Sequence, residues 1–298
     1  MPSPSRRSVH VPVMLREVIT QLDLHSGLTV LDGTIGAAGH SRLIMEKIGA
    51  SGTLIGLDRD QSMLARSSEV VSGANVHLHQ ASYADAQAIL TQMNVNQVDR
   101  ILLDLGLSSD QLADAQRGFG FDTSGRLDMR FDSTSGEPVR EFLSRAEIAE
   151  IEQALNQYGE EKQARKIAIE IVRRRQTGQP VESVQELVDL VLQATSAPPG
   201  QRRTPSVTRV FQALRIAVNS ELDHLDHFLA DVLPDILKPG GRVAILTFHS
   251  LEDRRVKQLF KDKTRWNNLP PKPLEPTPSE VRRNPRARSA KLRVAERT

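Results

Sequence analysis

Short apolar runs that end in an aspartate or a turn recur at helix-sized intervals along the first third of this chain, then stop, then resume near its end. The runs are Leu28–Asp32 (LTVLD), Thr53–Asp58 (TLIGLD), Val76–His79 and Arg100–Leu105 (RILLDL). Helical stretches at Gly36–Lys47 and Gln61–Glu69 separate the early ones. Strands alternating with helices predict a parallel sheet, because parallel neighbours need a crossover connection and a cover on each face. From Ser108 to about Arg209 no strand pattern occurs. Glu147–Leu155, Glu161–Arg174 and Ser183–Leu192 instead carry apolar residues at three- and four-residue steps, punctuated by Gly159, Gly178, Pro180, Pro198 and Pro199. A long helical stretch, Phe211–Leu237, the turn Pro239-Gly240-Gly241 and the strand Arg242–Phe248 (RVAILTF) then restore the α/β pattern. The spacing therefore predicts an α/β protein whose Rossmann-like sheet domain is discontinuous, 1–107 and 210–298, with an all-helical domain inserted at 108–209. Trp266–Pro285, rich in proline and charge, reads as a surface loop, and Ala290–Ala295 as a last edge strand.

Composition narrows the class. The 298 residues include no cysteine, which excludes disulfides and thiolate metal sites and favours a cytoplasmic location. Met1–Arg16 lacks the apolar stretch of a secretory leader, and no run of about 18 apolar residues suggests a membrane span. The net charge is only +2, so affinity for a polyanion must come from local clusters. Two are present: Arg173, Arg174 and Arg175, and the C-terminal set Arg282, Arg283, Arg286, Arg288, Lys291 and Arg293. Both fit phosphate contact or an ordinary solvated surface.

The stretch Asp32-Gly33-Thr34-Ile35-Gly36-Ala37-Ala38-Gly39-His40-Ser41 is a glycine turn after the first strand, leading into a helix N-terminus. Such a turn lets backbone approach a ligand closely, and the helix offers free N–H groups to it. Asp58 closes the second strand 22 residues after Gly36 (58 − 36), where an acid accepts hydrogen bonds from ribose hydroxyls. The loop is not G-x-G-x-x-G, and no G-x-x-x-x-G-K-[ST] element occurs, which disfavours NAD and ATP. S-adenosylmethionine has no phosphates; Gly39 and His40, Asp58, and Tyr83 after the third strand suit its amino-acid end, ribose and adenine in that order. Asp104 ends the fourth strand at the same edge of the sheet.

Beyond these positions the chain resembles the bacterial 16S ribosomal RNA cytosine-N4 methyltransferases, which modify a cytosine of the decoding centre. The resemblance spans nearly the whole length: HVPVMLREV, LDGTIGAAGHS, GLDRD, LLDLGLSSDQL, RGFGFDTSGRLDMRFD, YGEE, TRVFQALRIAVNSEL, LKPGGRVAILTFHSLEDR and NPRARSAKLRVAER. It implies a class I methyltransferase sheet with an inserted helical domain for substrate recognition, and S-adenosylmethionine held by Ala38, Gly39, His40, Asp58, Tyr83, Asp104 and Gln111. It also implies a 16S ribosomal RNA partner within the small ribosomal subunit. The family usually has glycine where Ala38 stands, so a positive φ there would be strained.

The cytosine amine is a poor nucleophile, since its lone pair is delocalised into the ring, and acceptors are needed near the nitrogen. Asp104 is a candidate catalytic residue that either binds cofactor, polarises the amine or does both. His249, in FHSLED, is a second, with helix capping as its structural alternative. Phe119 and Phe121 fit stacking on an extruded base or anchoring the insertion. Asp128 and Arg130 read as a structural ion pair. No metal is expected, because methyl transfer from a sulfonium needs none and the eight histidines lack ligand spacing. Three other readings compete: a methyltransferase on protein or small molecules, a non-catalytic ribosome assembly factor, and an NAD-dependent oxidoreductase. Oligomeric state is not legible.

Overall fold

A computed structural model describes residues 12–196 and 204–298. The His10 and Val11 positions of the first motif, the rest of the chain start, and Pro198 and Pro199 lie outside the described residues. The chain forms two compact units, one of residues up to Gly106 together with Leu222–Thr298, the other Leu107–Glu221.

In the first unit the order is α1 (Leu15–Leu22), β1 (Thr29–Asp32), α2 (Gly39–Ile48), β2 (Thr53–Asp58), α3 (Gln61–Val70), β3 (Val76–Gln80), α4 (Ala86–Gln92) and β4 (Val98–Asp104). The second unit contributes α5 (Ser109–Ala113), α6 (Val139–Arg145), α7 (Ile148–Gly159), α8 (Ala164–Gln176), α9 (Val184–Ala194) and α10 (Pro205–Asn219). Then follow α11 (Glu221–His227), α12 (Leu233–Ile236), β5 (Leu237–Thr247), α13 (Ser250–Leu259), β6 (Trp266–Asn268), α14 (Pro278–Arg283) and β7 (Lys291–Arg297).

The seven strands form one sheet in the order β3-β2-β1-β4-β5-β7-β6. The first five are parallel, and β7 runs antiparallel to both β5 and β6. Alternate residues of the central strands feed two separate cores. Leu31, Ile55, Leu57, Ile101, Leu103, Val243 and Ile245 pack on one face against Phe228, Leu233 and Val256. Val30, Leu54, Leu102, Ala244 and Leu246 pack on the other against Val18, Leu22, Ile44 and Ile48. A sheet buried on both faces explains why these strands read as continuous apolar runs. The strand order reverses between β1 and β4, and ligands of open α/β sheets bind at the carboxyl ends beside such a switch point.

Three expectations need correction. All of Ala290–Ala295 but Ala290 lies within β7, which is not an edge strand, because β6 pairs along its other side. Trp266–Pro285 is not simply a loop: it holds β6 and α14, and Trp266 is fully buried, with its ring 5.6 Å from that of Phe260. A three-residue strand among prolines leaves no periodicity to read. Phe211–Leu237 is also not one helix. Ser220 adopts a left-handed conformation (φ 49°) after α10, and a five-residue π-helical turn, Phe228–Val232, separates α11 from α12.

α10 consequently falls in the second unit, where Val207, Val210, Phe211, Ala213 and Leu214 join Ile151, Leu155, Ile167, Ile171 and Leu187 in its core. The sheet unit resumes at Leu222, twelve residues later than the position 210 read from the sequence (222 − 210). Among the described residues no helix is long and apolar enough to cross a membrane.

Candidate functional site

The turn after β1 is built on glycine at Gly33, because a Cβ there would sit 2.9 Å from the Tyr83 Cβ and against the Leu103 side chain. Asp32, the last residue of β1, is buried. It accepts hydrogen bonds from the Ser41 hydroxyl (2.6 Å) and the Thr34 N–H (3.2 Å). Thr34 Oγ1 in turn accepts from the Asp104 N–H at 2.6 Å, joining the loop to the end of β4. Gly36, at φ 51°, donates its N–H to Asp58 Oδ2 (2.9 Å), and the Asp60 N–H donates to Asp58 Oδ1 (2.8 Å). The loop is thus pinned to the ends of two neighbouring strands.

Ala38 caps α2 in a left-handed conformation, φ 59° and ψ 29°, and is fully buried. This is the positive φ that the sequence made costly: a Cβ in this region is unfavourable by about 1–2 kcal/mol. Gly39 follows because the ring of Pro12 lies where its Cβ would be. His40 is buried and donates from Nε2 to the Val13 carbonyl at 3.1 Å. Burial lowers the imidazole's pKa, so the ring is neutral, and its Nδ1 lies 3.7 Å from Asp104 Oδ2. Tyr83 opens a short 3-10 turn capped by Ser82, with its ring edge-on to Phe228 at 5.4 Å.

The carboxylates share an unusual environment. Burial pushes Asp32 up to about 6 and Asp58 up to about 7. Each is raised further by a neighbouring acid, Asp32 by Asp104, and Asp58 by Asp60 and Asp32. A set of mutually raised carboxylates repels phosphate and suits a ligand that brings positive charge and hydroxyl donors.

Of the residues singled out in the sequence, Ala38, Gly39, His40, Asp58, Tyr83 and Asp104 therefore meet in one unit, at the carboxyl ends of β1, β2, β3 and β4. Gln111 belongs to the second unit, where its Oε1 accepts from the Ser108 N–H (3.0 Å) in a reciprocal helix cap. His249 caps α13: its Nδ1 faces the Glu252 N–H at 3.4 Å, while Glu252 Oε2 accepts from the Phe248 N–H at 2.8 Å. Phe119 stacks on Phe131 under the Arg117 guanidinium, and Phe121 packs edge-on to Phe211, so both rings serve the core of the second unit. Asp128 and Arg130 form the expected ion pair, at 2.8 and 2.9 Å.

The basic clusters divide by the work their members do. Arg173 pairs with Glu170, and Arg175 donates to the Leu143 and Ala146 carbonyls at the end of α6. Arg293 and Lys291 hold Asp253 of α13, whereas Arg282, Arg283, Arg286 and Arg288 are exposed.

The sequence reading missed Asp32, Thr34 and Ser41, and also the segment Pro12–Met14 that covers the loop. An apolar run closed by aspartate, the signal that marked Asp58 and Asp104, marks Asp32 as well. No local signal marks the covering segment.

Comparison with known proteins places the chain in a family. The chain is 42% identical to the ribosomal RNA small subunit methyltransferase H of Trichlorobacter lovleyi, over 97% of its own length and 98% of the relative's. It is 43% identical to the protein of the same name from Methylibium petroleiphilum, over 97% and 95%. A solved SAM-dependent methyltransferase from Aquifex aeolicus aligns over 95% of this chain and 89% of its own, at 10% identity and a TM-score of 0.38. The profile of the MraW methylase family matches residues 7–298, and the chain belongs to that family.

Proposed function

We propose that this protein transfers a methyl group from S-adenosylmethionine to the exocyclic N4 amine of a cytosine in the decoding centre of 16S ribosomal RNA, within the small ribosomal subunit. The observation that carries this reading is the convergence of the Gly33–His40 loop, Asp58, Tyr83 and Asp104 at the switch point of the sheet. Membership of a methylase family fixes the reaction type, and the relatives' names give ribosomal RNA as the substrate class.

The residues present fit the cofactor. Asp58 would offer acceptors to ribose hydroxyls, and the backbone at Gly39, where α2 begins, would take the amino-acid end. The raised carboxylates Asp32 and Asp58 favour a cationic ligand over a phosphorylated one. When bound, S-adenosylmethionine supplies an electrophilic methyl carbon on a sulfonium sulfur. Transfer of that methyl to the amine would leave the neutral thioether S-adenosylhomocysteine and release one amine proton, which would pass to the Asp104 carboxylate and on to solvent. Asp104 at the end of β4, beside the neutral His40, accepts a hydrogen bond from the amine and so stabilises the charge that develops on nitrogen. The insertion Leu107–Glu221 is the substrate-recognition unit of this reading. His249 keeps its role as the cap of α13.

The test is methyl transfer from labelled S-adenosylmethionine to small subunits lacking the modification, read by nucleoside analysis. Label is expected as N4-methylcytidine, with Asp104→Ala slowing transfer by about 10²–10³, the scale of losing one transition-state hydrogen-bond partner. Label on another nucleoside, or binding of cofactor with no transfer to RNA, would sink the reading.

A further inference from the structure

A side-chain hydrogen bond ties the segment before α1 to α14, at the far end of the same unit. Glu280, in α14, accepts the Met14 N–H at 2.7 Å across 266 positions of chain. α14 itself buries none of its residues. On the other side of the bond, Met14 is fully buried and caps α1 in a left-handed conformation without a side-chain cap of its own. Its neighbours Pro12 and Val13 do two things at the loop. Pro12 sits against the α-carbon of Gly39, and the Val13 carbonyl takes the His40 Nε2 proton, which leaves Nδ1 as the acceptor facing Asp104. Hydrogen bonds thus tie Glu280 to Met14 and Val13 to His40, and the His40 ring lies beside Asp104, Nδ1 to Oδ2 3.7 Å.

We infer that Glu280 is a positioning residue: its carboxylate latches the strap Pro12–Met14 over the Gly39–His40 turn and so sets cofactor affinity from the opposite end of the chain. The inference rests on the cofactor site proposed above. Three features support it. The bond is charge-assisted and therefore among the stronger kind. Among the described residues α1 has no side-chain cap of its own, so losing the latch removes the acceptor that the Met14 N–H has here. His40 has its proton fixed by a backbone carbonyl whose position depends on the strap; if the strap lifts, the two imidazole tautomers become comparable and the acceptor beside Asp104 is no longer assured.

The experiment is calorimetric titration of the whole protein with S-adenosylhomocysteine, paired with nitrogen-15 NMR of the His40 ring. Glu280→Ala is expected to weaken binding about tenfold, in keeping with one charged hydrogen bond, and to replace the Nε2-protonated ring by a tautomer mixture. Glu280→Gln, whose amide oxygen still accepts from Met14, is expected to restore both. Pro12→Ala, which loosens the strap and leaves α14 untouched, should weaken binding in the same sense and covers the case in which Glu280→Ala folds poorly. Wild-type affinity and an unchanged tautomer in Glu280→Ala would overturn the latch and leave the site intact. Failure of the wild-type protein to bind S-adenosylhomocysteine would instead overturn the site itself, and the latch with it.

Discussion

Asp58 in the sheet unit and Asp128 in the helical unit are both half-buried aspartates that accept backbone hydrogen bonds, yet their charged forms are treated in opposite ways. Asp58 meets two backbone N–H groups and the fields of Asp60 and Asp32, and burial drives it up to about 7. Asp128 also loses water on burial, but the Arg130 guanidinium grips both of its oxygens and Arg140 stands 3.5 Å away, so it is held below the usual carboxylate range. The stability consequences carry opposite signs. Asp58's contribution is full below the ordinary range near 4 and is lost as pH rises through about 7. Asp128's contribution is present above its ordinary value and is lost as pH falls. The difference teaches how to read a carboxylate: one gripped by cations is structure, and one at a strand end held by backbone N–H groups alone is a candidate site.

The comparison can be broken by substitution. Asp58→Asn should weaken S-adenosylhomocysteine binding about 100-fold at pH 8, the loss expected for two hydrogen bonds to a charged acceptor. In the wild-type protein affinity should fall about tenfold per pH unit below about 7, because binding selects the ionised carboxylate; the Asn variant should show no such slope. A titration series from pH 5.5 to 8.5 checks both, and a flat wild-type profile would remove Asp58 from the ribose site. Asp128→Ala should lower unfolding free energy by about 2 kcal/mol in urea titration, by stranding Arg130, while leaving cofactor affinity unchanged. If it weakened cofactor binding as Asp58→Asn does, the contrast between the two regions would collapse. The smallest effect is expected at Ala38→Gly. Relief of the left-handed backbone should raise stability by about 1 kcal/mol, offset in part by glycine's extra chain entropy. A lower melting temperature would mean that the Ala38 methyl, buried in the core with Ile35 and Ile44, contributes more than its backbone costs.

Much of the sheet could be read directly, because β1, β2 and β4 are buried on both faces and so appear as unbroken apolar runs closed by Asp32, Asp58 and Asp104. β6 could not be, since Trp266 carries its burial almost alone. The break after α10 was hidden for a different reason: Ser220 takes a left-handed conformation without being glycine, and α10 and α11 both keep helical spacing across it. At the candidate site, the sequence supplied each acid through its position at a strand end. It could not supply Pro12, Val13 or Glu280, whose roles arise only from contacts made across the whole chain.

The sequence by itself determined the alternation of strand and helix, the interruption by a helical insertion, the glycine turn and the strand-end carboxylates. These are local properties, set by periodicity, by backbone freedom and by where apolar runs stop. Only the tertiary structure decided the strand order, the burial that lifts Asp32 and Asp58, and the contacts that His249, Phe119 and Arg175 make. It also brought α14 to the N-terminal strap. Desolvation and hydrogen-bond partnership depend on every group that surrounds a side chain, and those neighbours come from sequence positions that no local pattern connects.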